Sequence, residues 1–323
     1  MAGVIPATTP VQWPSRPLVP GAGLTIRGCL MQSRHFAQLV LLSAVWGGSF
    51  PLIRIAAPAF GPLPMACLRC ALAAGVLSLL MRVLKEQWPE RVHWPSLAFL
   101  GLLTVVAPFV LFNWAGLVIP AGYSAVLNAT APLFGLVAGA LSGEERLTMR
   151  KLAGCAAGLL GVGLLVRLGP VEVDARVVLA VLACVAASAS YGFGAVLMKR
   201  ATLKHRALPA SAAVHIAAAL VLLLPATAAA PGVHIEPRAA AALAVLGMFT
   251  SGFMYWISMR LMREIPASAA TSSAFMIPLF GVTWGALFLG EPFTGGMVPG
   301  VLLVLLACAL VTGFDPLGWR RPR

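Results

Sequence analysis

Between residues 36 and 314 the chain is a succession of apolar runs broken by short segments that carry glycine, proline or charge. A helix crossing about 30 Å of hydrocarbon needs roughly 20 apolar residues. Ten runs meet that length, approximately Phe36–Ala57, Pro64–Leu84, Pro95–Leu117, Ala121–Leu141, Lys151–Leu168, Arg176–Met198, Pro209–Ala229, Arg238–Met259, Ala267–Leu289 and Gly296–Phe314. The connections leave no room for a separate soluble domain. The pattern therefore predicts an all-α membrane protein, a single bundle of ten transmembrane helices.

Residues 1–33 do not share this pattern. Pro6, Pro10, Pro14, Pro17 and Pro20 punctuate the segment, and it contains no apolar run long enough for a signal-peptide core. A disordered tail is the expectation, with a start at Met31 as the alternative. At the other end, residues 315–323 form a short basic tail.

Composition agrees with the bundle: 60% of the residues are hydrophobic and 10% charged, against about 25% charged in ordinary soluble domains. Mean hydropathy is +0.92. The net charge of +13 does not point to nucleic acid, because the basic residues fall between the apolar runs and form no cationic face. Their distribution instead sets an orientation. With the amino terminus in the cytoplasm, the inner segments hold Arg34, Arg82, Lys85, Arg91, Arg146, Arg150, Lys151, Lys199, Arg200, Lys204, Arg206, Arg260 and Arg263. The outer ones hold Arg54, Arg167, Arg176 and Arg238. The positive-inside rule then places both termini in the cytoplasm of a multi-pass protein of the cell membrane. The six cysteines lie mostly within apolar runs and read as packing residues, not disulfides or metal ligands.

The strongest internal feature is a repeat. Displaced by about 146 residues, Ile119-Pro120-Ala121 falls on Ile265-Pro266-Ala267, and Pro132-Leu133-Phe134-Gly135 on Pro278-Leu279-Phe280-Gly281. Glu145, Thr148 and Gly154 fall on Glu291, Thr294 and Gly300. Nearly the same displacement carries Trp46-Gly47 onto Tyr191-Gly192 and Arg69 onto His215. The halves are residues 34–168 and 176–314. Five spans per half is an odd number, so the second half enters the membrane from the opposite side. Inverted repeats of this kind belong to secondary transporters, with the solute near the midplane between the halves.

With Trp46-Gly47-Gly48-Ser49-Phe50 in the first span, Arg69 early in the second, the Pro-Ala turns at Pro120 and Pro266, Pro132 and Pro278 within the following helices, and the Gly-Glu turns near Glu145 and Glu291, the chain resembles the drug/metabolite transporter superfamily, specifically its EamA-type ten-helix permeases. The resemblance implies a metabolite or drug permease and does not imply which solute. One departure is Gly143-Glu144-Glu145, with one acid more than the pattern.

Six residues are candidates for solute binding: Trp46, Arg69, Asn113, Asn128, Tyr191 and His215. A buried amide needs a partner, which favours Asn113 and Asn128. Aromatic walls suit small ligands, which favours Trp46 and Tyr191, with core packing as the alternative. A charge near the membrane centre costs roughly 2.5–3.5 kcal/mol on insertion scales, so Arg69 either serves a solute or snorkels to the nearest surface. Arg69 and His215 at matching depths, with no acid inside any span, fit an anionic or zwitterionic metabolite such as an amino acid better than a cationic drug. His215 is also the candidate for a coupling proton. Glu145 and Glu291, each just ahead of a helix start, are expected to cap it, in preference to coupling protons. Pro132 and Pro278 are expected to kink their helices, the freed carbonyls either lining the path or serving packing alone.

An intramembrane enzyme is the competing class, and it would need a nucleophile with its base, paired aspartates or a histidine metal motif within the spans. None is present, and no metal or cofactor site is expected. No nucleotide-binding loop occurs, so transport is expected to be secondary, carried out by a monomer with a small solute and the lipid bilayer as its partners. The solute, the direction and the coupling ion are not written in the sequence.

Overall fold

The computed structural model describes residues 33–143, 148–168, 171–264 and 273–312. In chain order the membrane helices are α1 (Ser33–Phe60), α2 (Pro62–Val83), α3 (Arg91–Ala115), α4 (Ala121–Leu141) and α5 (Met149–Leu168). The second half holds α6 (Ala175–Lys204), α7 (Ala207–Ala228), α8 (Pro237–Leu261), α9 (Ser273–Leu289) and α10 (Val298–Thr312). Among the described residues seven helices are long and apolar enough to cross a membrane, and α9 and α10 contribute two shorter apolar stretches, Met276–Leu289 and Gly295–Ala307. The remaining helix, α5, carries Arg150, Lys151 and Arg167 near its ends.

The helix boundaries depart from the hydrophobic runs where polar residues continue the helix. α6 runs two turns past Met198, so Lys199, Arg200 and Lys204 lie on the helix and not in a loop. Basic side chains there complement the negative end of the helix dipole. α1 continues through Pro58 to Phe60, where Gly61, with φ 73°, turns the chain into a helix that opens on Pro62. Arg69 is thereby seven residues into its helix, about 10 Å at 1.5 Å per residue, deeper than the predicted start at Pro64 would set it.

Contacts between chain-distant ends agree with the crossing number in parity. On one face, where α1 ends and α2 begins, the His234 N–H donates to the Ala59 carbonyl at 2.8 Å, and Glu291 reaches the start of α4. On the opposite face, where α1 starts, Arg206 pairs with Glu86 at 2.7 Å and the rings of His93 and His205 meet edge to face. Each of these pairs requires an even number of crossings between its members, as ten spans provide. The face where α1 starts is called the near face below, and the other the far face.

Packing follows an approximate two-fold. α2 packs on α7 and α5 on α10, each helix meeting its own repeat mate, while α1 packs on α9 as α6 packs on α4. The equivalence extends to single residues. A Cβ added to Gly47 would sit 2.7 Å from Phe280 Cβ and 2.9 Å from Gly281 N; one added to Gly192 would sit 2.6 Å from Phe134 Cβ and 2.5 Å from Gly135 N. The two crossings are copies, and each needs glycine because backbone meets backbone there.

Two interruptions prepare the centre. α3 and α8 each contain a π-helical stretch, Leu102–Val106 and Val245–Phe253, in which Ala107 N bonds to Leu102 O and Met254 N to Phe249 O, five residues back. In α3 the cause is local: Pro108 has no N–H to donate to the Thr104 carbonyl. α4 is broken between Asn128 and Ala131 into two short helices, with Pro132 in the first turn of the second. Pro278, by contrast, lies inside the continuous stretch of α9.

Candidate functional site

Arg69 projects into the bundle from α2 and is 5% exposed, so it does not snorkel. Its Nε donates to Ser251 Oγ at 2.6 Å, Nη2 lies 3.5 Å from Thr250 Oγ1, and Cζ stands 3.7 Å from the centroid of the Phe109 ring. Among the described residues no carboxylate pairs with it. Burying an unpaired charge costs several kcal/mol. Two hydroxyl contacts and a cation–π contact, of about 1.5–3 and about 2 kcal/mol each when desolvated, offset part of that cost. The Nη1 hydrogens and one on Nη2 have no protein partner among the described residues, which leaves the end of the fork open to a carboxylate.

His215 occupies the matching place on α7 and is fully buried. Its Nδ1 lies 2.9 Å from the Ser211 carbonyl. A carbonyl only accepts, so the proton of the neutral ring resides on Nδ1 and Nε2 carries a bare lone pair. That atom has no partner among the described residues and no access to solvent. The imidazole stands edge to face against Tyr255, ring centroids 4.8 Å apart. Tyr255 is one turn along α8 from Ser251, so Arg69 and His215 both rest on that helix at successive turns.

The repeat pairs these contacts. Phe109 beneath Arg69 is the counterpart of Tyr255 beside His215, and Thr250 is the counterpart of Thr104, whose hydroxyl bonds to Leu100 O and lies 3.3 Å from Tyr255 Oη. The Thr250 hydroxyl likewise bonds to Leu246 O. Carbonyls of the two π-stretches accept from the opposite repeat: Trp46 Nε1 from α1 approaches Thr250 O at 3.4 Å, and Ser190 Oγ from α6 approaches Leu103 O at 2.8 Å. Trp46, Arg69 and His215 are thus gathered around the middle of α8.

The remaining candidates, Tyr191, Asn113 and Asn128, are held by other contacts. Tyr191 stacks on Phe112 at 6.3 Å, and Phe112 meets Phe50 edge to face at 5.4 Å. Asn113, fully buried, spends its Nδ2 on the Pro62 carbonyl at 3.2 Å, and its Oδ1 has no partner. Asn128 stands at the break in α4, with Oδ1 also unpartnered. Glu291 does not cap the helix that follows it. Its carboxylate accepts from Ala121 N at 2.7 Å and Gly122 N at 3.1 Å, the first amides of α4, while Thr294 ahead of α10 makes no side-chain cap. The reason is Gly290: its φ of 64° closes α9 and turns the next side chain toward the start of α4, which packs beside α9. Glu145 lies outside the described residues.

Ser251, Thr250, Thr104 and Phe109 were not among the sequence candidates. The repeat could have found the threonines and Phe109, since it superposes Thr104 on Thr250 and Phe109 on Tyr255 as it superposes Arg69 on His215; it carries no signal for Ser251, whose counterpart is Val105.

Ten helices in two inverted halves with a polar group enclosed at their interface define a membrane transporter. The model of the EamA-like transporter family matches residues 36–167 and again 178–313, and the chain belongs to that family. It is 31% identical over 283 residues to the uncharacterized inner membrane transporter YedA of Escherichia coli K12, covering 86% of this chain and 90% of that protein. It is 26% identical over 282 residues to a probable terminal-alkyne amino-acid exporter of Streptantibioticus cattleyicolor, covering 84% and 93%. A probable amino-acid metabolite efflux pump of E. coli K12 is 25% identical over 303 residues, covering 90% and 98%. A protein of known crystal structure shares the fold with a TM-score of 0.61 at 16% identity, over 84% of this chain and 98% of that one.

Proposed function

We propose that the protein is a secondary exporter of a small carboxylate-bearing metabolite, an amino acid or close derivative, working as a monomer by alternating access between its two repeats. The observation that carries this reading is Arg69, a buried guanidinium at the repeat interface without an acid partner among the described residues, its Nε and one Nη2 hydrogen on hydroxyls and the rest of the fork open. A solute carboxylate supplies the missing counter-charge. The bare Nε2 of His215, one helical turn away along α8, accepts a proton or a solute N–H and couples the cycle to the proton gradient. Relatives named as amino-acid exporters support both the solute class and the direction. The excess of Lys and Arg on the near face supports its placement in the cytoplasm, with both termini there and the far face outside. Glu291 and Pro132 act in this scheme as gate and hinge elements at the two ends of the first half of α4.

The test is purified protein in liposomes offered a panel of radiolabelled amino acids, with and without an imposed proton gradient. Uptake or counterflow of at least one amino acid, abolished by Arg69→Ala, is the expected result. Flux confined to cations would overturn the reading.

A further inference from the structure

We infer that Arg54 and Glu291 form the far-face gate of the transport path, an ion pair clamped on the first amides of α4 that must open for the solute to leave. The inference rests on the alternating access proposed above. Three chain-distant segments meet at one point. Arg54 of α1 lies six residues, about 9 Å, inside the end of its helix. Its Nη1 donates to the carbonyls of Gly116 and Ile119 at 3.0 and 3.1 Å, the link into α4, and its Nε stands 3.4 Å from Glu291 Oε1. Glu291, from the turn after α9, binds the amides of Ala121 and Gly122. The cluster joins α1 and α4 of the first repeat to α9 of the second, so the halves cannot separate on this face while it is intact.

The surroundings fit a part that opens and closes. The first half of α4, Ala121–Asn128, ends at the break, where the regular helical hydrogen bonds give way to the tighter turns Ala129 N to Val126 O and Thr130 N to Leu127 O, a natural hinge. Gly285 leaves the room the carboxylate occupies, since a Cβ there would sit 2.7 Å from Glu291 Oε2. The Arg54 side chain is 36% exposed and that of Glu291 13%, so water at the mouth can replace each partner when the contact parts. A fully buried pair would not part so readily. Deeper along α1, one turn and a residue below Arg54, the buried Ser49 hydroxyl has no partner among the described residues. It is the probe position for an opened mouth.

The experiment treats Ser49→Cys, in a background without the native cysteines, with a membrane-impermeant maleimide and no solute, using right-side-out and inverted vesicles. Glu291→Gln and Arg54→Gln are each expected to raise labelling from the far face about tenfold, the scale of one charge-assisted hydrogen bond. The double variant is expected to rise no further, and Arg54→Lys to stay near the parent rate. Unchanged labelling in variants that elute as monodisperse protein, a rise that is additive in the double variant, or a rise from the near face would each overturn the gate. Because no solute is present, failure here leaves the amino-acid reading untouched, and failure of that reading leaves this result standing.

Discussion

At the centre of the bundle the two repeats present the same framework with different chemistry. In the first, an arginine on α2 lies over Phe109 of α3; in the second, a histidine on α7 stands beside Tyr255 of α8. The threonines of the two π-stretches, Thr104 and Thr250, bond back to Leu100 and Leu246 in the same way. The side chains they support have diverged. One half offers a fixed positive charge and the other a bare lone pair, so a two-fold scaffold yields a site with two unlike ends. A zwitterion has unlike ends too, whereas a symmetric site would favour neither orientation of it.

If the charged end is what holds the solute, Arg69→Ala should show the largest effect. Removing one partner of a buried charged contact costs about 2–5 kcal/mol, so flux in liposomes should fall by about 30-fold to a few thousandfold while expression and insertion persist. Arg69→Lys should keep some flux, with a higher KM, because the charge remains and the fork is lost. Wild-type flux in Arg69→Ala would remove the carboxylate end of the site. His215→Ala should also abolish net export. Its separate signature is proton coupling: flux driven by a solute gradient alone should survive better than flux driven by a proton gradient, a split that Arg69→Ala should not show.

A smaller effect is expected at Ser251, which meets Arg69 Nε at 2.6 Å. Ser251→Ala should raise KM about tenfold with little change in kcat, in keeping with about 1.5–3 kcal/mol for a hydrogen bond to a charged group. The equivalent place in the other half is Val105, where Val105→Ala should leave KM alone. The framework itself can be compared through Gly47→Ala and Gly192→Ala. Each should destabilise by about 1–3 kcal/mol, and by similar amounts, in thermal melts, because the added methyl meets backbone at both crossings. Gly75→Ala, with nothing within 4 Å of its Cβ, should not destabilise. Unequal losses at Gly47 and Gly192 would break the equivalence of the crossings. The smallest effect is expected from Phe109→Tyr, which makes the two rings alike and should alter KM by no more than about threefold, since the face beneath the guanidinium is kept.

The sequence by itself determined the bundle, its ten crossings, the repeat and the matching positions of Arg69 and His215 within it; how deep and how buried Arg69 lies was decided by the helix start at Pro62 and by packing. Membrane burial demands a continuous apolar length for each crossing, and the repeat preserved residue identities at constant separation; both are local or linear properties of the chain. Tertiary structure alone decided the partners. Glu291, with Thr294 three residues on, has the spacing of a local cap, yet its carboxylate serves α4, 170 residues earlier in the chain, because Gly290 turns the chain through a left-handed conformation. Ser251 and Thr250 read as ordinary small polar residues of an apolar span. They become the support of Arg69 because the π-stretch of α8 lies against α2, over 180 residues away in sequence. A hydrogen bond is satisfied by whichever group packing brings within 3 Å, and that depends on how the helices cross as well as on the order of residues along each one.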